Sequence, residues 1–274
     1  MVNMKMISLV ALIVTFWGGA SAALADGSCH PTFSDPFVSE RYLLPVYVPF
    51  PVDGAIGSRW VTEVMLSNGS DVPVWVENVG SMTTVGQFNA PIPPGVSMPL
   101  QFASLTITEV PARFLDIEFG ARRFAVQLRV RDITRESLSY GAEIPVVHQS
   151  RATNEVINLA AVPISDEYRN LLRIYDFKQV LHASVHVRVY GVMTQEPPNF
   201  IRDPLIAEMT IPFTLATCDQ PGYAQVQIPA QSPSGDAYSV VRVEVEPTNL
   251  DSRIWALVTL TNNTTQQVTV VSPK

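Results

Sequence analysis

Proline is the residue type that most constrains the fold of this chain, because 22 prolines are spread from residue 31 to residue 273. Proline has no backbone N–H and its ring clashes with the preceding helical turn, so long α-helices are excluded over most of the chain. Apolar and polar residues alternate instead with a period of two, which is typical of half-buried β-strands. The alternation is clearest in residues 60–66, 124–130, 183–189 and 241–245. The sequence therefore predicts an all-β protein built from antiparallel strands.

One short pattern of strand and turn occurs four times in the sequence. Two alternating apolar residues are followed by Asn or Asp, and these Asx residues are Asn68, Asp132, Asp176 and Asn262. An Asx side chain accepts a hydrogen bond from the backbone two residues on, so each copy predicts a strand that ends in an Asx turn. The first and third copies lie 108 residues apart and the second and fourth 130 apart, which predicts two copies of one sandwich domain. The alternative is that such short patterns recur by chance.

The longest internal match joins residues 64–76 to residues 258–270 without a gap. It pairs Leu66 with Leu260 and Val76 with Val270. The matched apolar residues have one parity, and residues of one parity face the same side of a pleated strand. We therefore expect both stretches to place these residues on the core face.

The first 25 residues are typical of a secretory signal peptide. Lys5 is their only charged residue, residues 6–17 are apolar, and small-residue cleavage motifs follow at 20–22 and 23–25. The apolar run is too short to cross a bilayer, which takes roughly 20 residues. The signal predicts a secreted or periplasmic protein with no transmembrane segment after cleavage.

The domain organisation follows from the signal and the repeats. We expect a signal peptide over residues 1–25, an N-terminal segment over 26–40, a first β-sandwich domain over 41–149 and a second over 150–274. The polar residues 149–155 are the predicted linker. Each domain would then have about 100 residues, the usual size of an immunoglobulin-like sandwich.

Charge and cysteine content restrict the partners and the compartment. The formal net charge is −7 and the pI is about 5.1, which argues against nucleic-acid binding. The two cysteines, Cys29 and Cys218, are too few for a disulfide-dense scaffold or a four-thiolate zinc site. In an oxidising compartment we expect them to form one disulfide between the N-terminal segment and the second domain.

Three stretches of the sequence carry a resemblance to a known group of proteins. They are residues 51–68 with GAIGSRWVTE at their centre, residues 129–132 together with 140–147, and residues 255–266. They resemble uncharacterised secreted proteins of environmental bacteria with tandem immunoglobulin-like β-sandwich domains. The resemblance implies a tandem β-sandwich in an exported protein, and it implies no activity.

The sequence shows no recognisable catalytic constellation. A Gly-x-Ser-x-Gly elbow is missing from the mature chain. His182 and His186 lie on one strand face about 13 Å apart, at about 3.3 Å per residue, so one zinc ion cannot bind both. Glutamates suited to glycoside cleavage are available, but nothing marks a pair of them. We therefore expect no catalytic residue, no metal site and no cofactor; calcium held by converging loops stays an alternative.

Three residues are the best candidates for ligand binding. Trp75 has the opposite parity to Val74 and Val76, so we expect it to be exposed and able to stack on a sugar ring. Arg129 and Arg131 share one strand face, and their planar guanidinium groups suit carboxylates of an anionic ligand. The alternative for both arginines is a network with carboxylates of the protein itself.

These observations favour an exported, non-catalytic β-sandwich protein that serves in adhesion, scaffolding or cell-envelope assembly. Its partner would be a protein or a cell-surface polysaccharide. The first alternative is a carbohydrate-binding protein that uses the surface tryptophan and arginines. The second is a hydrolase whose catalytic residues are dispersed in the sequence.

Overall fold

The computed structural model describes residues 39–48, 50–77, 91–100, 112–118, 123–135, 140–178, 180, 182–192, 203–214, 216–217, 220–228 and 238–273. The predicted signal peptide and both cysteines lie outside these residues. Within them the regular structure is β-strand, apart from two single-turn 3₁₀ helices, Ala55–Gly57 and Gln149–Arg151. The strands are β1 (Ser39–Leu44), β2 (Val52–Asp53), β3 (Arg59–Asn68), β4 (Val76–Glu77), β5 (Ser97–Pro99), β6 (Arg113–Glu118), β7 (Phe124–Asp132), β8 (Ala142–Ile144), β9 (Val147–His148), β10 (Ile157–Pro163), β11 (Tyr168–Asp176), β12 (Ser184–Gly191), β13 (Leu205–Pro212), β14 (Gly222–Ile228), β15 (Val240–Pro247), β16 (Ile254–Asn262) and β17 (Val268–Val271).

The strands form four antiparallel sheets, two in each half of the chain. In the N-terminal half, β1 to β9, the sheets have the orders β4-β6-β1-β9 and β2-β3-β7-β8, and β5 also pairs with β3. In the C-terminal half, β10 to β17, the orders are β10-β15-β12-β13 and β14-β11-β16-β17. The prediction of an all-β, antiparallel sandwich fold is confirmed.

The two halves share part of their strand order. In the N-terminal half β3 pairs with β7, β7 with β8, and β1 with β6. In the C-terminal half β11 pairs with β16, β16 with β17, and β10 with β15. The strands β1, β3, β6, β7 and β8 thus correspond, in chain order, to β10, β11, β15, β16 and β17. This correspondence agrees with the matching of the first Asx copy with the third and of the second with the fourth.

The immunoglobulin-like detail of the prediction is not confirmed. In an immunoglobulin constant-type domain the first two strands are neighbours in one sheet. In the C-terminal half β10 pairs with β15, and β11 lies in the opposite sheet.

The four predicted Asx turns are all present, each at the end of a long central strand. β3 ends at Asn68, β7 at Asp132, β11 at Asp176 and β16 at Asn262. The Oδ1 atom of each accepts a hydrogen bond from the backbone N–H two residues on: Ser70 at 3.0 Å, Thr134 at 3.0 Å, Lys178 at 3.1 Å and Thr264 at 2.9 Å. This prediction is confirmed.

The described apolar side chains form two core clusters. The second cluster fills the space between the two sheets of the C-terminal half, with residues such as Leu172 on β11 and Val187 on β12. The first cluster fills the N-terminal half and continues into the other half. Its members from the C-terminal half are Tyr175, Phe177, Tyr223, Trp255 and Leu257.

The expectation that residues 64–76 and 258–270 share one core face is wrong for the second stretch. Leu260 belongs to the second cluster, whereas Val270 packs against the first. Between them the chain turns back at Gln266, which has a positive φ of 58°, and β17 then pairs Leu260 with Thr269. Because side chains alternate along a strand, this register places Val270 on the opposite face of the sheet.

The predicted linker carries ordered contacts. His148 accepts a hydrogen bond from the Ser150 backbone, at the start of the 3₁₀ turn Gln149–Arg151. Thr153 then forms a two-way backbone bridge with Ile254, with N···O distances of 2.9 and 2.7 Å. The chain thus passes between the halves as a segment that is bonded to β16, while the domain limits at 149 and 150 stay a prediction.

The Asx turns predict the effect of a substitution at Asp132. Its Oδ1 also accepts a hydrogen bond from the Arg59 backbone at 3.0 Å, so Asp132→Ala removes the acceptor that the Arg59 and Thr134 donors share. We expect a loss of about 2 kcal/mol or more in the free energy of unfolding, measured by urea denaturation. Asp132→Asn keeps the Oδ1 acceptor and is expected to lose less. Equal losses for Asp132→Ala and for the control Asp71→Ala, at an exposed position, would contradict this role.

Candidate functional site

The three ligand-binding residues predicted from the sequence do not share one surface. Trp75 directly precedes β4 and is half-buried rather than exposed, while Val74 and Val76 beside it are buried as predicted. Arg129 and Arg131 lie on β7, which belongs to the other sheet of the N-terminal half. The structure therefore does not combine the tryptophan with these arginines.

The arginines of β7 lie among carboxylates of the protein. Arg131 Nη2 lies 2.8 Å from Glu63 Oε1 on the neighbouring strand β3. Arg129 is exposed, and its cross-strand neighbours are Glu63 and Glu143. This arrangement matches the protein-internal network that was the alternative to an anionic ligand.

The predicted polar face of β12 carries ion pairs. His186 Nε2 lies 2.9 Å from Glu208 Oε1, and Arg188 Nη1 lies 2.9 Å from Glu246 Oε2. Both acids come from the strands on either side of β12. Among the residues that the structure describes, no group of three His, Cys, Asp or Glu side chains is placed to hold a metal ion.

Arg242 extends this polar face on β15. Its guanidinium carbon lies 4.2 Å from the centre of the Tyr190 ring, a cation–π contact, and it also pairs with Glu244. Burial opposes the ionisation of Glu244, but the hydrogen bonds from Arg242 and Tyr190 outweigh it and lower the pKa of the carboxyl group. Glu244 is thus held in its charged form by the neighbouring Arg242.

A cleft lies between the N-terminal and C-terminal halves. It consists of two cavities of about 540 and 360 Å³, which share Trp60, Val130 and Val268 as lining residues. Small-molecule sites usually measure about 300 to 1,000 Å³. We call these two cavities the interface cleft, and it is the best candidate for a functional site among the described residues.

Trp60 is held in a fixed orientation in the interface cleft. Its Nε1 donates a hydrogen bond to the Ser58 hydroxyl at 2.9 Å, and that hydroxyl donates to the Ala55 carbonyl at 2.7 Å. Gly54 lies so close that a Cβ there would clash with both the Ser58 hydroxyl and the indole ring. Trp60 has the same parity as Val64 and Leu66 on β3, which predicts a core position, and it does pack against the first core cluster.

The opposite wall of the interface cleft is the outer face of the sheet β14-β11-β16-β17. On β11 the alternate residues Arg169, Leu171 and Arg173 line the cleft. Thr261 and Thr259 on β16 are the cross-strand neighbours of Arg169 and Leu171, and they line it too. This wall therefore presents two guanidinium groups beside hydroxyl groups.

The two arginines of this wall have no carboxylate partner within the part of the chain that the structure describes. Arg169 Nη2 donates to Gln266 Oε1 at 2.8 Å, and Arg173 Nη1 donates to the Tyr223 hydroxyl at 3.1 Å. The Nε atom of each arginine is buried and has no hydrogen-bond partner among these residues. Buried charges are normally paired, so the wall carries positive charge that the described residues leave uncompensated.

The rim of the larger cavity contains a balanced ion pair. Arg135 Nη1 lies 2.7 Å from Asp132 Oδ2, and Arg135 Nη2 donates to the Ile56 carbonyl at 3.0 Å. Burial raises the pKa of Asp132, but the hydrogen bonds from Thr134, the Arg59 backbone and Arg135 outweigh it and lower the pKa below its usual value. Asp132 is thus ionised and neutralised by Arg135, and it does not offset the charge of the opposite wall.

Arg169 and Arg173 were not among the candidate residues predicted from the sequence. The signal that could have found them is parity, because they share a strand face with Tyr175, opposite the core residues Leu172 and Ile174. The alternation of side chains along β11 does not indicate, however, that the first half of the chain covers that face.

Comparisons with known proteins do not extend this assignment. The chain matches no protein-family model, no curated protein and no solved structure. Over the described residues the structure contains no helix that is both long enough and apolar enough to cross a membrane.

The lowered pKa of Asp132 predicts an acid-dependent loss of stability. An unfolded Asp titrates near pH 3.9, so the stabilisation by Asp132 is complete above about pH 4 and is lost as the pH falls through the lower folded pKa. We expect the free energy of unfolding of the wild type to fall more steeply below about pH 4 than that of Asp132→Asn. Urea denaturation at fixed pH values measures both, and parallel pH profiles would contradict the assignment.

Proposed function

We propose that this protein is an exported, non-catalytic β-sandwich protein that serves in adhesion, scaffolding or assembly of the cell envelope. The observation that carries the proposal is the first core cluster, which contains buried side chains from both halves of the chain. The shared part of the strand order supports a tandem pair of sandwiches. The signal-like residues 1–25 support export to the periplasm or the medium.

Aromatic contacts join the two halves. The ring centres of Phe114 on β6 and Phe177 after β11 lie 5.4 Å apart. The Tyr175 hydroxyl, on the C-terminal half, donates a hydrogen bond to the backbone carbonyl of Pro45 in the N-terminal half. The Tyr175 ring also stacks on Trp255 at 6.2 Å. The contact between the halves, which we call the join, is thus apolar, and the Tyr175 hydroxyl within it is hydrogen-bonded.

A join of this kind suits a structural role. Neighbouring domains usually move relative to each other unless their interface is large and hydrophobic. A shared apolar core fixes the orientation of two sandwiches, so the pair presents its outer faces at a constant geometry. Such a unit is suited to bind a protein or a polysaccharide of the cell surface on one face while it is held by another.

The charged side chains also support a non-catalytic role. General acid–base catalysis needs a group whose proton affinity is tuned in a cavity that admits the substrate. Three glutamates that a hydrolase could use, Glu208, Glu244 and Glu246, are engaged by Arg188 and Arg242 on an outer sheet face. The hydrolase alternative therefore gains no support from their geometry.

A turnover screen tests the proposal directly. The purified mature protein would be incubated with polysaccharide, ester and peptide substrates, and the products quantified. We expect no product above the buffer control. Turnover well above background that is abolished by Glu244→Gln or by His186→Ala would contradict the non-catalytic proposal.

The shared core predicts how one truncation affects the whole molecule. Phe177→Ala removes a buried ring between the halves, and such truncations cost about 3 to 5 kcal/mol. We expect one cooperative thermal transition in the wild type, and one at lower temperature in the variant, followed by circular dichroism. Phe50→Ala, at an exposed phenylalanine, is the matched control. Two separate transitions, of which only one moves, would contradict a shared core.

A further inference from the structure

We propose that the interface cleft binds a short acidic oligosaccharide, with Arg169 and Arg173 as the residues that recognise its carboxylates. This inference rests on the proposed envelope role for the choice of a saccharide among anionic ligands. The site itself follows from the contacts that line the cleft.

The charge of the interface cleft favours an anionic ligand. Neither Arg169 nor Arg173 has a carboxylate partner among the described residues, and the buried Nε of each retains an unused donor. The guanidinium groups interact with neutral groups: Arg169 with the Gln266 amide, and Arg173 with the Tyr223 and Tyr175 hydroxyls. Burial raises the pKa of the Tyr223 hydroxyl, although Arg173 lowers it in part, so the phenol stays neutral near pH 7. A bound anion would supply the missing countercharge.

The spacing of the two arginines favours an extended ligand. Arg169 and Arg173 are four residues apart on β11, which separates their Cα atoms by about 13 Å at roughly 3.3 Å per residue. A single phosphate-sized anion could meet both guanidinium groups only if the two side chains turned towards each other, whereas a longer ligand can meet one at each end. A chain of acidic sugar units is long enough to place one carboxylate at each arginine, where a bidentate pair is possible.

The other side chains that line the interface cleft favour a sugar. The Trp60 ring stands at the junction of the two cavities, and Thr259, Thr261 and Gln227 line the smaller one. Aromatic rings pack against the apolar faces of sugars, while hydroxyl and amide groups bond sugar hydroxyls. A ligand that is only an anion would use the arginines and leave these groups without a role.

The contrast with the other arginines sharpens the assignment. Arg188 is engaged by Glu208 and Glu246, and Arg242 by Glu244. Those guanidinium groups lie on an outer sheet face and already have carboxylate partners. Arg169 and Arg173 are the pair that combines a cavity with unpaired charge within the described part of the chain.

Isothermal titration calorimetry of the purified mature protein with trigalacturonate tests the inference, with neutral galactotriose and inorganic phosphate as comparison ligands. We expect trigalacturonate to bind at low salt, to bind more weakly as salt is raised, and galactotriose not to bind. Arg169→Gln and Arg173→Gln are each expected to weaken binding roughly tenfold or more, since each removes a charge-assisted pair. Arg188→Gln is the control and should bind as the wild type does.

The outcomes separate the inference from the proposed function. No binding of trigalacturonate, or binding that survives both cleft substitutions, overturns the site; binding of phosphate as tight as that of trigalacturonate overturns the saccharide assignment. Thermal unfolding of each variant shows whether it is folded, and Arg169→Gln serves as the second probe if Arg173→Gln is not. Recovery of intact trigalacturonate after incubation is also measured, because its cleavage would overturn the non-catalytic proposal while leaving the binding site in place.

Discussion

The rest of this structure depends on one contact: the apolar end of the outer face of one C-terminal sheet is buried against the N-terminal half. The outer face of the sheet β14-β11-β16-β17 carries Tyr175, Tyr223, Trp255 and Leu257, which are buried in the core cluster of the other half. Burying an apolar or aromatic side chain contributes about 1.5 to 3 kcal/mol, so with Phe177 this join is worth on the order of 10 kcal/mol. That is comparable to the whole stability of a typical domain, about 5 to 15 kcal/mol. Separating the halves would therefore cost about as much as unfolding one of them.

The same face explains the interface cleft. Towards its other end the alternating positions of β11 change from Tyr175 to Arg173, Leu171 and Arg169, and a cavity separates these residues from the first half that lies over them. The apolar end fixes the distance between the two walls, and the polar end leaves a cavity that contains charged groups. The cleft is thus a consequence of the join, and Trp60 is fixed on its far wall by hydrogen bonds that do not depend on a ligand.

The sequence was sufficient to predict the long strands β3, β7, β11, β12, β15 and β16 and the Asx turns that end four of them, and insufficient to predict what covers each face. Alternation and Asx residues are local signals, so β3 and β7 and the turns at Asn68 and Asp132 could be predicted from neighbouring residues alone. Trp75 was expected to be exposed because parity distinguishes only two faces of a strand, and it does not show whether another segment lies over the outer one. Arg173 was overlooked for the same reason, since its importance comes from the first half of the chain packing on that face. The hairpin at Gln266 exchanged the faces of Val270 and Leu260 through a positive φ that no sequence pattern indicated.

Native-state hydrogen exchange of the purified protein tests the shared core most directly. The slowest amides of β3 and β7 are compared with those of β11 and β16, as a function of added denaturant. If the join holds the halves together, both sets exchange through one global opening and give the same free energy and the same denaturant dependence. If the amides of one half exchange through an opening that is several kcal/mol easier than that of the other, the two sandwiches unfold independently and the account is contradicted.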